Sequence, residues 1–239
     1  MAIFVGTAGW SIRHEHADMF SAGPNHLARY AGRFSGVEIN SSFYRPHRAT
    51  TYAGWAASVP TGFRFSVKLP RTITHDARLG QPEALLDVFL SQLDSLGGKL
   101  GPLLMQLPPS LTYDAPVVER FLESLRLRFS GDVVCEPRHA SWFKADAEKL
   151  LASFEIARAA ADPAPHPGAQ DPGGWNGICY FRWHGSPVMY RSNYGTCALH
   201  NLATQVKNGD AASRWCIFDN TANGAAIPNA LALTKMLQV

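Results

Sequence analysis

Short apolar runs that end in polar residues recur along the whole chain, at residues 3–7, 37–40, 63–68, 103–106, 133–136, 178–184 and 215–220. Their length, aromatic content and β-branching favour strands over helices. Helical periodicity lies between them. Leu85, Leu86, Phe89, Leu90 and Leu93 form one stripe, opened by Pro82 and closed by Gly97-Gly98. Val117, Val118, Phe121, Leu122 and Leu125 form a second, with Asp114 as N-cap and Pro116 in its first turn. Weaker patterns cover 25–34, 50–59, 145–154, 198–207 and 227–237. Strand followed by helix, repeated throughout, makes βα units on a parallel sheet, an α/β fold.

The segment 154–162 reads either as an extension of the helix before it or as a thin strand from Ile156 to Ala161 that ends at Asp162. Counted as a strand it makes eight units, and 239 residues over eight is about 30 each, the proportion of a (β/α)8 barrel. An open doubly wound sheet fits less well, because Gly6-Thr7-Ala8-Gly9 is not a dinucleotide loop. The expectation is one domain over 1–239, a single TIM-type (β/α)8 barrel. Its longest irregular stretch, 163–176, is rich in proline and glycine. It reads either as a lid anchored by Trp175 or as a disordered surface loop replacing a helix.

The parity of the strands carries the functional argument. Glu38 with Asn40, Ser66 with Lys68, and Tyr180 with Arg182 and His184 share one face, while Val37, Ile39, Phe65, Val67, Phe181 and Trp183 take the other. In a barrel the apolar set meets the helices and the polar set points into the mouth at the carboxyl ends. Collected there are Glu38, Asn40, Tyr44, Lys68, His75, Gln106, Glu136, Arg138, His139, Asp162, Arg182, His184, Asp219 and Asn220, with Trp10 and Tyr44 placed for ligand contact. Charged groups inside a barrel must be paired, hydrogen-bonded, metal-bound or wet. The mouth is therefore an ion-pair network or a ligand site.

At these same strand ends the sequence resembles the YecE-like family, domain-of-unknown-function family number 72. The resemblance rests on Gly6-Thr7-Ala8-Gly9-Trp10, Val37-Glu38-Ile39-Asn40-Ser41-Ser42-Phe43-Tyr44, and Phe65-Ser66-Val67-Lys68 followed by Ile73-Thr74-His75. Leu104-Met105-Gln106-Leu107-Pro108-Pro109-Ser110, Glu136-Pro137-Arg138-His139 with Ser141-Trp142, Arg182-Trp183-His184-Gly185 and Asn220-Thr221 continue it in order. It departs at Pro137, where the family usually has an aromatic or aliphatic residue, and at Asp219, where it has asparagine. The resemblance implies a TIM-type barrel with its site at these strand ends, and it assigns no reaction.

The residue types point to an enzyme of hydrolase, lyase or isomerase type acting on a small polar, anionic or nucleotide-like substrate. Glu38, Glu136 and His184 would be the acid/base groups, with Lys68, Arg138 and Arg182 as charge stabilisers and Arg45 and Arg71 nearby. A divalent metal on Glu38, Glu136, His139, Asp162, His184 and Asp219 stays open, although no H-E-x-x-H motif is present. A nucleic-acid-binding or repair-type barrel and a noncatalytic ligand-binding barrel also stay open.

Composition narrows these classes. Lys+Arg number 22 against 19 Asp+Glu, a net +3 without a basic run, so no continuous phosphate-tracking surface is encoded. Cys135, Cys179, Cys197 and Cys216 form no C-x-x-C pair and read as reduced thiols, most of them buried. With no signal-like N-terminus and no apolar stretch near ~20 residues, the expected place is the cytoplasm, off the membrane. The oligomeric state is not encoded in any of these features.

Overall fold

A computed structural model describes residues 2–237. Ten strands appear in chain order: β1 (Ala2–Thr7), β2 (Gly36–Ile39), β3 (Arg64–Lys68), β4 (Leu100–Gln106), β5 (Val133–Glu136), β6 (Ile156–Arg158), β7 (Ala160–Asp162), β8 (Gly173–Gly174), β9 (Ile178–Trp183) and β10 (Ser213–Phe218). Seven α-helices alternate with them: α1 (His26–Ala31), α2 (Ala49–Ala57), α3 (Glu83–Leu93), α4 (Ala115–Arg126), α5 (Ala145–Ser153), α6 (Thr196–Asn208) and α7 (Ala226–Leu237). The fold is α/β, with strands and helices where the periodicity placed them.

The strands form two sheets, ordered β2-β3-β4-β5-β6-β8 and β1-β10-β9-β7. Every pairing is parallel except β6 with β8. Two seams bring the sheets together. At one, Ala8 bridges Glu38 in parallel, and Gly9 N–H donates to the Glu38 carbonyl at 2.9 Å. At the other the chain changes sheet within a single stretch. Residues 156–158 pair with β5, Ala159 N–H still donates to Cys135 at 2.8 Å, and Ala160 then pairs with Phe181 of β9. The ambiguous segment is thus extended, not helical.

The two faces differ as parity requires. Val37, Ile39, Phe65, Val67 and Phe181 pack in one large core with helix residues such as Leu86, Phe89, Phe121, Leu122 and Leu202. Helix α4 shows how the sequence sets this contact: the Asp114 carboxylate accepts from Val117 N–H at 3.3 Å, and Phe121, Leu122 and Leu125 are fully buried. On the opposite face Leu104, Val134, Ala157, Ile178, Tyr180, Trp215 and Ile217, drawn from both sheets, form a smaller cluster. Its anchor is Trp215, which stacks on Phe4 at 4.5 Å and is admitted by two glycines. A Cβ at Gly101 would lie 2.7 Å from the Trp215 ring, and one at Gly36 would lie 2.9 Å from it.

The irregular stretch 163–176 is pinned rather than loose. Gly173–Gly174 pairs with β6, Gly174 N–H donates to Glu148 at 2.5 Å, and Arg158 ties Glu148 and the Asp171 carbonyl. Trp175 N–H donates to the carbonyl of Ile156, the first residue of β6, and its ring packs on the Trp215 cluster. The reading of Trp175 as a lid's anchor is corrected here: Trp175 sits at the start of the strands, away from their carboxyl ends, while His166 of the same stretch lies 3.2 Å from the Arg138 carbonyl. The four cysteines are free thiols, and no helix among the described residues is long and apolar enough to cross a membrane.

Candidate functional site

The carboxyl ends of the strands deliver two layers of polar groups. The lower layer is centred on Arg182 from β9, which is 1% exposed. Its Nε donates to Glu38 Oε2 at 2.9 Å and its Nη2 to Glu38 Oε1 at 2.7 Å, a bidentate grip across to β2. Its Nη1 donates to Glu136 Oε2 at 3.0 Å, and Nη2 lies 2.9 Å from Asp219 Oδ2. Tyr180 completes the layer, its hydroxyl 3.0 Å from Glu38 Oε2 and 2.9 Å from Ser66 Oγ. Arg182 belongs to one sheet and both glutamates to the other, so the network joins the sheets.

His184 spans two carboxylates, with Nε2 2.9 Å from Glu136 Oε1 and Nδ1 3.1 Å from Asp219 Oδ2. That is the geometry of an imidazolium donating from both nitrogens. Burial opposes its charge, but Glu136 and the two hydrogen bonds outweigh burial and Arg182 and raise its pKa. Burial would likewise raise Glu136, yet Arg182, His184 and Arg138 hold it well below the usual carboxylate range. Asp219 is lowered in the same way, Arg182 and His184 overcoming burial. Opposing charges drive Arg182 well above its ordinary value.

Above this layer lies a cavity of about 520 Å³ lined by Asn40, Tyr44, Lys68, Gln106, Arg138 and Asp219, together with Phe43, Arg71, His75, Tyr190 and Thr221. Lys68 is 5% exposed, and its Nζ makes no hydrogen bond and no ion pair among the described residues, while its carbonyl accepts from Ser42 Oγ at 2.6 Å. Its Nζ rests over the Phe43 ring, 4.2 Å from the centroid. Burial first, then the charge of Arg182, lower its pKa to about 8 against the pull of Glu38, Glu136 and Asp219. Asn40 Oδ1 is a buried acceptor with no partner. Asp219 uses Oδ2 for Arg182 and His184, and its Oδ1 accepts no hydrogen bond among the described residues. His75 holds Thr74 Oγ1 through Nδ1 at 2.9 Å, and burial with Lys68 and Arg71 lowers its pKa.

This stratification revises the roles read from sequence. Glu38, Glu136 and His184 meet as expected, but beneath the cavity wall and with their polar atoms engaged. The reason is the guanidinium of Arg182, whose donors the carboxylates surround. Among the lining groups, Lys68 Nζ and Asp219 Oδ1 make no hydrogen bond among the described residues, and Asn40 Oδ1 is unpartnered and buried. Trp10 stands apart, packed edge-on against Trp55 at 4.9 Å. His139 caps Ser141, Asp162 accepts from Tyr194 at 2.6 Å, and Asn220 binds Ser192 and Asn229; none of these lines the cavity. Sequence reading missed Tyr190, which reaches the cavity from the loop after β9. The remaining signal for it was an aromatic near a polar strand end.

Among the described residues no three His, Cys, Asp or Glu side chains form a group that could hold a metal ion. The lone pairs of Glu38, Glu136 and Asp219 that face inward are taken by Arg182, Tyr180 and His184.

Residues 4–239 match the model of the family described as "Protein of unknown function DUF72". The protein YecE of Escherichia coli K12 is 31% identical over 151 residues, covering 62% of this chain and 53% of that protein. The chain thus spans about half the length of this curated relative. A crystal structure of a DUF72 family protein from Thermotoga maritima superposes with a TM-score of 0.82 at 23% identity, covering all of both chains. The 3-keto-D-glucoside 4-epimerase YcjR of E. coli shares the fold at a TM-score of 0.53 and 12% identity, again over both chains entire.

Proposed function

The chain belongs to the DUF72 family of proteins of unknown function, and on that premise we propose that it is an enzyme of (β/α)8-barrel type that transfers protons on a small anionic substrate. The two seams support the barrel, since they continue the order of the strands from one sheet into the other. The observation that carries the function is the charge of the cavity wall. Lys68, Arg71 and Arg138 contribute +3 and Asp219 −1, a net +2 on the lining. Asp219 is matched from below by Arg182, Arg71 also pairs with Asp76 and Arg138 with Glu136, so Lys68 is the lining cation left without a counter-ion among the described residues. A carboxylate or phosphate answers that excess, and guanidinium forks suit either.

The chemistry then falls to the groups with free atoms. Arg71 and Arg138 hold the anion, Asn40 Oδ1 accepts a donor such as a substrate hydroxyl, and Asp219 Oδ1 and Lys68 exchange protons with the carbon or oxygen between them. The buried Glu38–Arg182–Glu136–His184 layer fixes Asp219 in place and keeps it ionised.

The test is calorimetric titration with inorganic phosphate and malonate, paired with proton–deuterium exchange of small hydroxy acids and sugar phosphates in heavy water. Arg71→Gln should weaken anion binding by about tenfold, the scale of one charged hydrogen bond, and Lys68→Met should abolish exchange. Unchanged affinity in Arg71→Gln overturns the anion site. Binding with no exchange of any substrate favours a noncatalytic binder, and a steep salt dependence on single-stranded oligonucleotides favours a nucleic-acid ligand.

A further inference from the structure

We propose that Lys68 is a covalent nucleophile, forming an imine with the carbonyl carbon of an aldehyde or ketone that also carries a carboxylate or phosphate. This rests on the anion reading above and adds a reaction to it. Three observations on geometry support the step. Lys68 Nζ has no hydrogen-bond or ion-pair partner among the described residues, unlike Arg182, whose donors are engaged with carboxylates, and Arg138, whose Nη2 lies on Glu136. It opens on the 520 Å³ cavity with Arg71 and Arg138 beside it, so a bound anion sets a neighbouring carbonyl against the amine. It is the last residue of β3 and its head rests on Phe43, which leaves an apolar environment on one side.

Nucleophilic amines need a populated neutral form, and desolvation beside another cation supplies it. Burial and Arg182 do so here, against Glu38, Glu136 and Asp219, and bring the ammonium to about 8. At pH 7 the free amine is then roughly one molecule in ten, against about one in 3,000 for an ordinary lysine. The step balances without a further reactant. The ammonium releases a proton, the amine nitrogen bonds to the carbonyl carbon, and the C–O bond breaks. The oxygen leaves as water with two protons drawn from the original ammonium, and the third stays on nitrogen. The protonated imine keeps the single positive charge of the ammonium, so the ion balance with Asp219 below is preserved. Asp219 Oδ1 is the free atom placed to relay these protons.

The chain supplies its own controls, because Lys99, Lys144, Lys149, Lys207 and Lys235 lie outside the cavity. Glyoxylate, an aldehyde with a carboxylate, and acetaldehyde, a neutral aldehyde of similar size, are each incubated with the wild-type protein at pH 7. Borohydride then fixes any imine, and peptide mass spectrometry reads each lysine. Glyoxylate should modify Lys68 about tenfold or more faster than any other lysine, and faster than acetaldehyde does, with inorganic phosphate protecting it. Modification of Lys68 no faster than the surface lysines overturns the inference. Equal labelling of Lys68 by both aldehydes supports the imine but overturns the anion reading. Phosphate binding intact with Lys68 unlabelled overturns the imine alone.

Discussion

Replacing Arg182 by methionine removes the one cation that faces Glu38, Glu136 and Asp219 together, at distances of 2.7, 3.0 and 2.9 Å. Methionine keeps much of the stem volume, so the loss is chiefly charge. Breaking a buried pair from one side costs about 3–5 kcal/mol, because the partner stays desolvated and uncompensated. At about 2–4 °C per kcal/mol for a chain of this size, the melting temperature should fall by roughly 6–20 °C at pH 7.5. The pH dependence gives a sharper check. In the wild type Glu136 and Asp219 are held below their ordinary values, so their contribution is present above the unfolded carboxylate range and lost as pH falls through the depressed folded values. In Arg182→Met burial acts with less opposition and the carboxyls protonate more readily. The gap between variant and wild type should therefore be widest at neutral pH and narrow on acidification. Thermal melts across pH 4.5–7.5 measure it. A variant melting within about 2 °C of wild type, or a gap that widens with acid, refutes the reading of Arg182 as the counter-ion of this layer.

Gly101→Ala should cost about 1–3 kcal/mol in urea unfolding, since its Cβ would lie 2.7 Å from Trp215 Cζ2 in a full cavity. Tyr194→Phe removes the hydroxyl that donates to Asp162 Oδ1 at 2.6 Å and accepts from Gly185 N–H at 2.8 Å. A buried amide left unpaired makes this worth about 1–3 kcal/mol, read by the same unfolding curve. Asp114→Ala should lose about 1 kcal/mol with ligand binding unaltered, because it only caps α4, and calorimetry on the variant checks both halves.

The fold was legible because parity survives into three dimensions. Val37, Ile39, Phe65, Val67 and Phe181 met the helices, and Glu38, Ser66, Tyr180 and Arg182 met one another. Depth along the strand axis was not legible. Glu38 and Lys68 share the same face parity, yet one is gripped by Arg182 and the other opens on the cavity, because the register sets Glu38 opposite Ser66, two residues before Lys68, and Arg182 reaches across to it. Pairing was equally hidden: no spacing in the sequence says that Arg182 satisfies three carboxylates and so leaves Lys68 with none. Trp175 failed as a lid's anchor for a related reason. A proline- and glycine-rich stretch carries no periodicity to show which end of a strand it returns to.

The seam at Ala159 carries a kinetic consequence. Residues 156–158 and 160–162 belong to different ladders, so each ladder there is only three residues long and its amides have few neighbours to hold them against transient opening. The second seam, at Ala8 and Glu38, is a single bridge. Amide hydrogens in the middle of β3, β4 and β10 should exchange with solvent only on global unfolding, whereas those of Ala159 to Ala161 should exchange through a local, lower-energy fluctuation. The Glu38–Arg182 contact spans both sheets and opposes that fluctuation, so whatever perturbs the charge balance of the mouth should be readable as faster deuterium uptake at Ala159.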